Sequence, residues 1–158
     1  MTDTSFLLTY PIYREFEPDD IDVLSRICEY EKRAGGEEIF KAGSPGDAMY
    51  IIKSGSVKVW IESGRRKKMV ALLSDGEFFG EMALIDGSPR SATVTSEGET
   101  ELVKLPAEGL VKLKTEHAST GFKVLGVLLK FMAHRIRRTT KKAAKLIKGR
   151  KKTGRRNK

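Results

Sequence analysis

The chain has 158 residues, 39% of them hydrophobic, which bounds it to one domain with a single core and an appendage. One cysteine, Cys28, excludes an intramolecular disulfide and suits a reducing cytoplasm, while the N-terminal MTDTSFLLTYPIYREFEPDD lacks the features of a signal peptide and no apolar run is long enough to span a bilayer. The net charge of +9 is uneven: from Lys130 onward there are fourteen Lys and Arg and no acid, so the first 129 residues, with the other sixteen bases and all 21 acids, carry −5.

Two short helices are predicted around Pro18–Lys32, with Asp19 and Asp20 placed to favour the N-terminal dipole and Cys28 among the apolar Leu24 and Ile27. From Gly36 to Pro106, short apolar runs alternate with turn signals. EEIFKAG leads into the turn SPGD, and MYIIKSGSVKVW alternates in period two about a hairpin turn at Ser54–Gly55. ESGRRKK, the strand VALLS and the turn DGEFFG follow, and TVTSEGETELVKLP reads as a further pair about a Gly turn. Strands this short and this regularly spaced predict an antiparallel sandwich or barrel, mainly β with flanking helices. AEGLVKLKTEHA, after Pro106, reads as a short helix.

A longer helix follows Ser119. Phe122, Leu125, Leu129, Met132, Ile136, Thr139, Ala143 and Leu146 recur at alternating spacings of three and four, a heptad seam. Val127, Leu128 and Phe131 form a second apolar flank. The seam could pack on the protein's own strands, but one flank for the strands and one seam for a partner is the economical arrangement, and it predicts a parallel homodimer through residues 122–146. The expected organisation is a β domain with its N-terminal helices over 1–120, the long helix over 121–147, and a basic, disordered tail over 148–158.

The run FGEMALIDGSPRSATV, residues 79–94, sets one carboxylate, Glu81, and one guanidinium, Arg90, among small and apolar residues. Gly80 permits close approach of the chain, and Met82-Ala83-Leu84 can form a short turn with free backbone N–H groups, a place to hold an anion. Arg90, with no other base near it in the run, is a fork suited to phosphate, and Glu81, acceptor-only when ionised, suits a hydroxyl. A phosphate beside a hydroxyl describes a phosphorylated ribose. An internal Glu81–Arg90 ion pair closing a surface loop accounts for the same residues equally well.

The run resembles the phosphate-binding cassette of cyclic nucleotide-binding domains, those of bacterial catabolite activators, kinase regulatory subunits and gated channels. Phe-Gly-Glu-x-Ala-Leu, a short gap, then Pro-Arg-Ser-Ala is present whole, preceded by Gly43, Gly46-Asp47, Tyr50, Ile52 and Gly55 at the glycine turns of that family's jelly roll. The resemblance covers about residues 15–140. It implies an antiparallel β jelly-roll barrel with a long C-terminal dimerisation helix, and a cyclic nucleotide as ligand, with no metal. It gives Glu81 the ribose 2′-hydroxyl and Arg90 the exocyclic phosphate oxygens, with further contacts from Phe79, Gly80, Met82, Ala83, Ser91 and Ala92. On the long helix, Thr139 and Thr140 match two adjacent hydroxyl residues that touch adenine in the activators, one from each subunit, and Arg135 completes the candidate set. That match implies cAMP rather than cGMP. Thr139 as a polar seam residue and Thr140 as a solvated one is the competing account.

The activators continue into a winged helix-turn-helix, whereas KKAAKLIKGRKKTGRRNK has no apolar pattern for a second core. The basic tail, without interleaved aromatics, could meet non-specific nucleic acid through phosphates, or an acidic protein, or simply be solvated. His117 and His134 stand alone, and no metal-ligand cluster, Walker loop or nucleophile triad appears, so no enzyme is expected. The expected function is a cyclic nucleotide receptor that signals through its C-terminal helix. The alternative is a nucleic-acid-associated protein whose tail does the binding, with the barrel as a dimerisation scaffold.

Overall fold

The structure, a computed structural model, describes residues 1–64 and 66–153, with the backbone alone at 63 and 146–153. After two 3-10 turns at Ser5–Thr9 and Pro11–Tyr13, helix α1 spans Pro18–Ile27. Strands follow at Glu29–Arg33 (β1), Glu38–Phe40 (β2), Ala48–Ser54 (β3), Ser56–Ser63 (β4), Arg66–Ser74 (β5) and Phe78–Phe79 (β6). Helix α2 spans Glu81–Asp86, strands β7 and β8 span Thr93–Ser96 and Thr100–Pro106, and helices α3 and α4 span Ala107–Thr115 and Ala118–Thr153.

The strands form two antiparallel four-stranded sheets, ordered β1-β8-β3-β6 and β2-β7-β4-β5. The mainly β fold with flanking helices and a long C-terminal helix is as the sequence predicts. The pairing of neighbours is not. Strand β3 pairs with β6 and β8, and β4 with β5 and β7, so Ser54–Gly55 is a crossing between sheets and not a hairpin turn. The EGE turn likewise links β7 in one sheet to β8 in the other. A period-two pattern and a glycine turn mark a strand and where it ends, but the partner is chosen by long-range burial. The hairpin that does form joins β4 to β5, an eight-pair ladder in which Ser56 faces Ser74 and Ser63 faces Arg66.

One helix, not two, occupies residues 18–32: it ends at Ile27, and EYEKR forms β1. The misreading is physical. Strand β1 lies at a sheet edge, where charged side chains are favoured, and its Glu29 and Glu31 both meet Lys104 across the ladder.

The central strands are covered on both faces. Met49, Ile51, Val103 and Leu105 face a cluster with Leu7, Tyr13, Leu24, Leu113, Val127 and Leu128, while Ala48, Tyr50, Ile52 and Leu102 face Val57, Leu73 and Val94 between the sheets. Cys28 is buried in the first cluster, where burial pushes its thiol up to about 12, and it is a core residue.

Helix α4 is fixed to the body along its first half. Val127 and Leu128 are buried and Phe131 packs beside them, the flank assigned to the strands from sequence, and Val124 is buried one turn before them. At its start, Thr120 Oγ1 donates to the buried Asp20 Oδ1 at 2.6 Å and Lys123 Nζ to Asp20 Oδ2 at 2.6 Å. Asp20 Oδ2 also accepts from the Glu17 N–H at 2.8 Å, so one carboxylate starts α1 and anchors α4. Lys130 Nζ meets Glu15 Oε1 at 2.6 Å. The opposite stripe, with Phe122, Leu125, Leu129 and Ile136, is exposed. The expectation for a basic tail over 148–158 falls on residues whose side chains, and for 154–158 whose backbone, lie outside the described residues. Among the described residues no helix is long and apolar enough to cross a membrane.

Candidate functional site

The cassette is shaped by two glycines. Gly80 has φ +79°, a left-handed conformation that turns the chain out of β6 into α2, and a Cβ there would stand 2.7 Å from Arg90 Nη1. Gly46 lies so close to α2 that a Cβ would overlap that of Ala83. The loop carrying Arg90 is pinned to the turn before β3: Arg90 N–H donates to Ser44 O at 2.9 Å, and Gly43 N–H donates to Arg90 O at 2.8 Å.

Against this cassette lies a cavity of about 290 Å³. Its inner wall is apolar, with Phe40, Val59, Ala71, Leu73, Phe79 and Val94. Phe79 stacks on Tyr50 with centroids 5.2 Å apart and 12° between planes. Glu81 and Arg90 are the two buried charged residues of the wall, 5% and 4% exposed, a placement that demands partners.

Those partners are not each other. Arg90 lies over the Phe40 ring at 4.1 Å, donates from Nη1 to Gly80 O at 2.7 Å, and from Nη2 to Asp47 Oδ1 at 3.2 Å. Its Nε is buried with no protein partner. Glu81 Oε1 accepts from Arg135 Nη1 at 3.0 Å. Arg135 Nη2 also donates to Phe78 O, and its guanidinium sits 5.1 Å from the Phe78 ring. The loop-closing Glu81–Arg90 pair that the sequence allowed therefore does not form. Arg90 keeps unused donors in a buried site, and Glu81 keeps Oε2 to accept a hydroxyl.

Ten of the eleven candidates read from sequence line the cavity: Phe79, Gly80, Glu81, Met82, Ala83, Arg90, Ser91, Ala92, Arg135 and Thr139. Thr140 does not; it is exposed, and its Oγ1 donates to Ile136 O at 3.0 Å. Thr139 Oγ1 likewise donates to Arg135 O at 3.0 Å. The shortage of other bases around Arg90 holds within the run alone, because α4 brings Arg135, Arg138 and Lys142 to the same cavity. Sequence reading missed Arg138 and Lys142, although 135, 138, 139 and 142 share one helical face. It also missed Asp47 as the acid on Arg90 and Phe40 as its aromatic floor, which no local pattern announces.

The cyclic nucleotide-binding domain profile matches residues 31–117. The chain belongs to the cyclic nucleotide-binding domain family. It is similar to the cyclic AMP receptor protein of Thermus thermophilus, 33% identical over 104 residues, which is 65% of this chain and 48% of that protein. It is also similar to the cAMP-dependent protein kinase regulatory subunit of Emericella nidulans, 32% identical over 109 residues, 69% of this chain and 26% of that subunit. Among solved structures, a cyclic nucleotide-binding domain from Methylobacillus flagellatus aligns with a TM-score of 0.81 at 25% identity, covering 89% of this chain and 83% of that one. The chain thus spans about half or less of the length of those two curated relatives. Among the described residues no group of three or more His, Cys, Asp or Glu could hold a metal ion.

Proposed function

We propose that this chain is a cAMP receptor that passes ligand occupancy to its long C-terminal helix. The observation that carries the reading is the buried pair of unlike charges in one cavity, Arg90 with unused donors and Glu81 with an unused oxygen. The cyclic phosphate sits on Arg90, exchanging for the exposed Asp47 carboxylate, the weaker of its two polar contacts at 3.2 Å. The ribose 2′-hydroxyl donates to Glu81 Oε2. Glycine at 80 and alanine at 83 leave room for the sugar-phosphate, and the cavity, about 290 Å³, is near the lower end of small-ligand pockets, roughly 300 Å³ upward.

The base lies toward α4, where Thr139 faces the cavity. A threonine hydroxyl both donates and accepts, which suits the amino group and ring nitrogen of adenine. Its hydroxyl bond to Arg135 O is intrahelical and readily given up.

Output runs through two contacts that the site shares with α4. Arg135 holds Glu81, and Phe131 packs edge-on against Phe78 at 4.5 Å, next in sequence to the cavity residue Phe79. Coupling of this kind requires different affinities for two helix positions, about 1–3 kcal/mol on the usual scale. The exposed stripe of Phe122, Leu125, Leu129 and Ile136 is covered by the same stripe of a second copy, so that Thr140 is presented to the partner's cavity.

Calorimetric titration with cAMP and cGMP tests the ligand. One cAMP per chain, bound at least ten-fold more tightly than cGMP, supports the reading. Preference for cGMP would overturn the adenine assignment at Thr139, and no heat with either would overturn the receptor.

A further inference from the structure

The cavity holds more positive charge than one cyclic phosphate uses. Four bases line it, Arg90, Arg135, Arg138 and Lys142, against one acid, Glu81. Two of the bases have carboxylate partners, Arg90 with Asp47 and Arg135 with Glu81. Arg138 and Lys142 pair with no acid among the described residues, and α4 offers none, since the last acid of the chain is Glu116. They stand four positions apart, one helical turn, on the face that carries Arg135 and Thr139 into the cavity.

A neutral base at this wall has no use for two cations. Two like charges one turn apart also repel, so the arrangement favours a shared anion. Beside them the rim exposes two apolar side chains, Val70 of β5 and Met82 of α2, surface that a second base would cover.

We propose that Arg138 and Lys142 form a second phosphate subsite at the rim of the cavity, fitting the site to a nucleotide with two phosphates, of which a cyclic dinucleotide is the compact form. The proposal rests on the assignment of the first phosphate to Arg90. One half of the ligand occupies the inner cavity as a mononucleotide does. The other half lies along the exposed face of α4, its phosphate on Arg138 and Lys142 and its base over Val70 and Met82. The ligand then bridges the cassette and the helix directly.

The test compares cAMP, cyclic di-AMP, cyclic di-GMP and linear pApA on the wild-type chain and on R138Q/K142Q, by calorimetry at low and moderate salt. The expected result is that a cyclic dinucleotide binds, that its affinity falls more steeply with salt than that of cAMP, and that R138Q/K142Q weakens it about ten-fold or more while cAMP changes less than about two-fold. Equal binding of pApA keeps the second subsite and removes the need for a ring. If cAMP binds and no two-phosphate ligand does, or if R138Q/K142Q leaves dinucleotide affinity unchanged, the second subsite is wrong and the receptor reading stands. If a dinucleotide binds through Arg90 and Arg138 while cAMP does not, the subsite stands and the mononucleotide assignment falls. Binding of neither class overturns both.

Discussion

Arg135 donates from Nη1 to Glu81 Oε1 at 3.0 Å, joining the long helix to the cassette across 54 positions of sequence. The carboxylate proposed to take the ligand's ribose hydroxyl is therefore also the one that fixes the helix. With Asp20 at its start and Glu81 further along, α4 is held to the body by two buried acids, one remote from the cavity and one inside it.

Replacing Arg135 with Gln should leave the fold intact and weaken cAMP binding about three- to ten-fold, the scale of one ordinary net hydrogen bond, since Arg135 acts on the ligand through Glu81. The larger effect should be on coupling. Hydrogen exchange of the α4 amides beyond Phe131 should respond to cAMP in the wild type and much less in the variant. An undiminished response in Arg135→Gln would assign the coupling to Phe78 and Phe131 instead.

Glu81→Gln retains shape and an acceptor but loses the charge that Arg135 meets and that the proposed ribose contact would use. Binding should weaken by about ten-fold. The 2′-deoxy analogue of cAMP should lose affinity in the wild type and lose little more in the variant. Independent, additive losses would place the hydroxyl elsewhere.

The exposed stripe of α4 predicts assembly. Sedimentation or light scattering should return twice the 17.6 kDa chain mass at tens of micromolar. Leu129→Glu puts a charge into that seam and should give monomer, each buried leucine being worth about 1.5–3 kcal/mol. A monomeric wild type would leave the stripe, including the 77% exposed Phe122, without its proposed cover.

Asp20 predicts an acid limb. Burial opposes its ionisation, but hydrogen bonds from Lys123, Thr120 and the Glu17 backbone outweigh that and hold it below the usual carboxylate range. A carboxyl lowered on folding stabilises the fold above its unfolded pKa, near pH 4, and that contribution is lost as pH falls through the folded value. Asp20→Asn should cost about 1–2 kcal/mol at pH 7 in urea melts and flatten the loss of stability below about pH 4. An acid limb parallel to the wild type would mean that other carboxylates set it.

The cassette was legible because its residues are adjacent in sequence and its turn glycine is demanded by local geometry, φ +79° at Gly80. The strands of the sandwich were legible from alternation, as in β3, whose odd positions face one cluster and even positions the other. What sequence could not supply were relations across distance. The link from β3 to β4 looks like a hairpin until the sheets are seen to separate the two strands. Strand β1 hides behind charges that its edge position favours. Asp47 becomes a site residue only when folding brings it to Arg90, across 43 positions, and Arg135, a candidate ligand contact from sequence, is Glu81's partner only across 54.

The proposed function stands or falls on Arg90 as the phosphate anchor of a cyclic nucleotide site. Titrating cAMP into the wild-type chain and into Arg90→Ala, with melting profiles recorded on both, tests it most directly. The expected result is one site per chain in the wild type and at least a hundred-fold loss in the variant, on the scale of about 3 kcal/mol for a buried charge-assisted contact, with a cooperative melt retained. Wild-type affinity in a folded Arg90→Ala chain would contradict it.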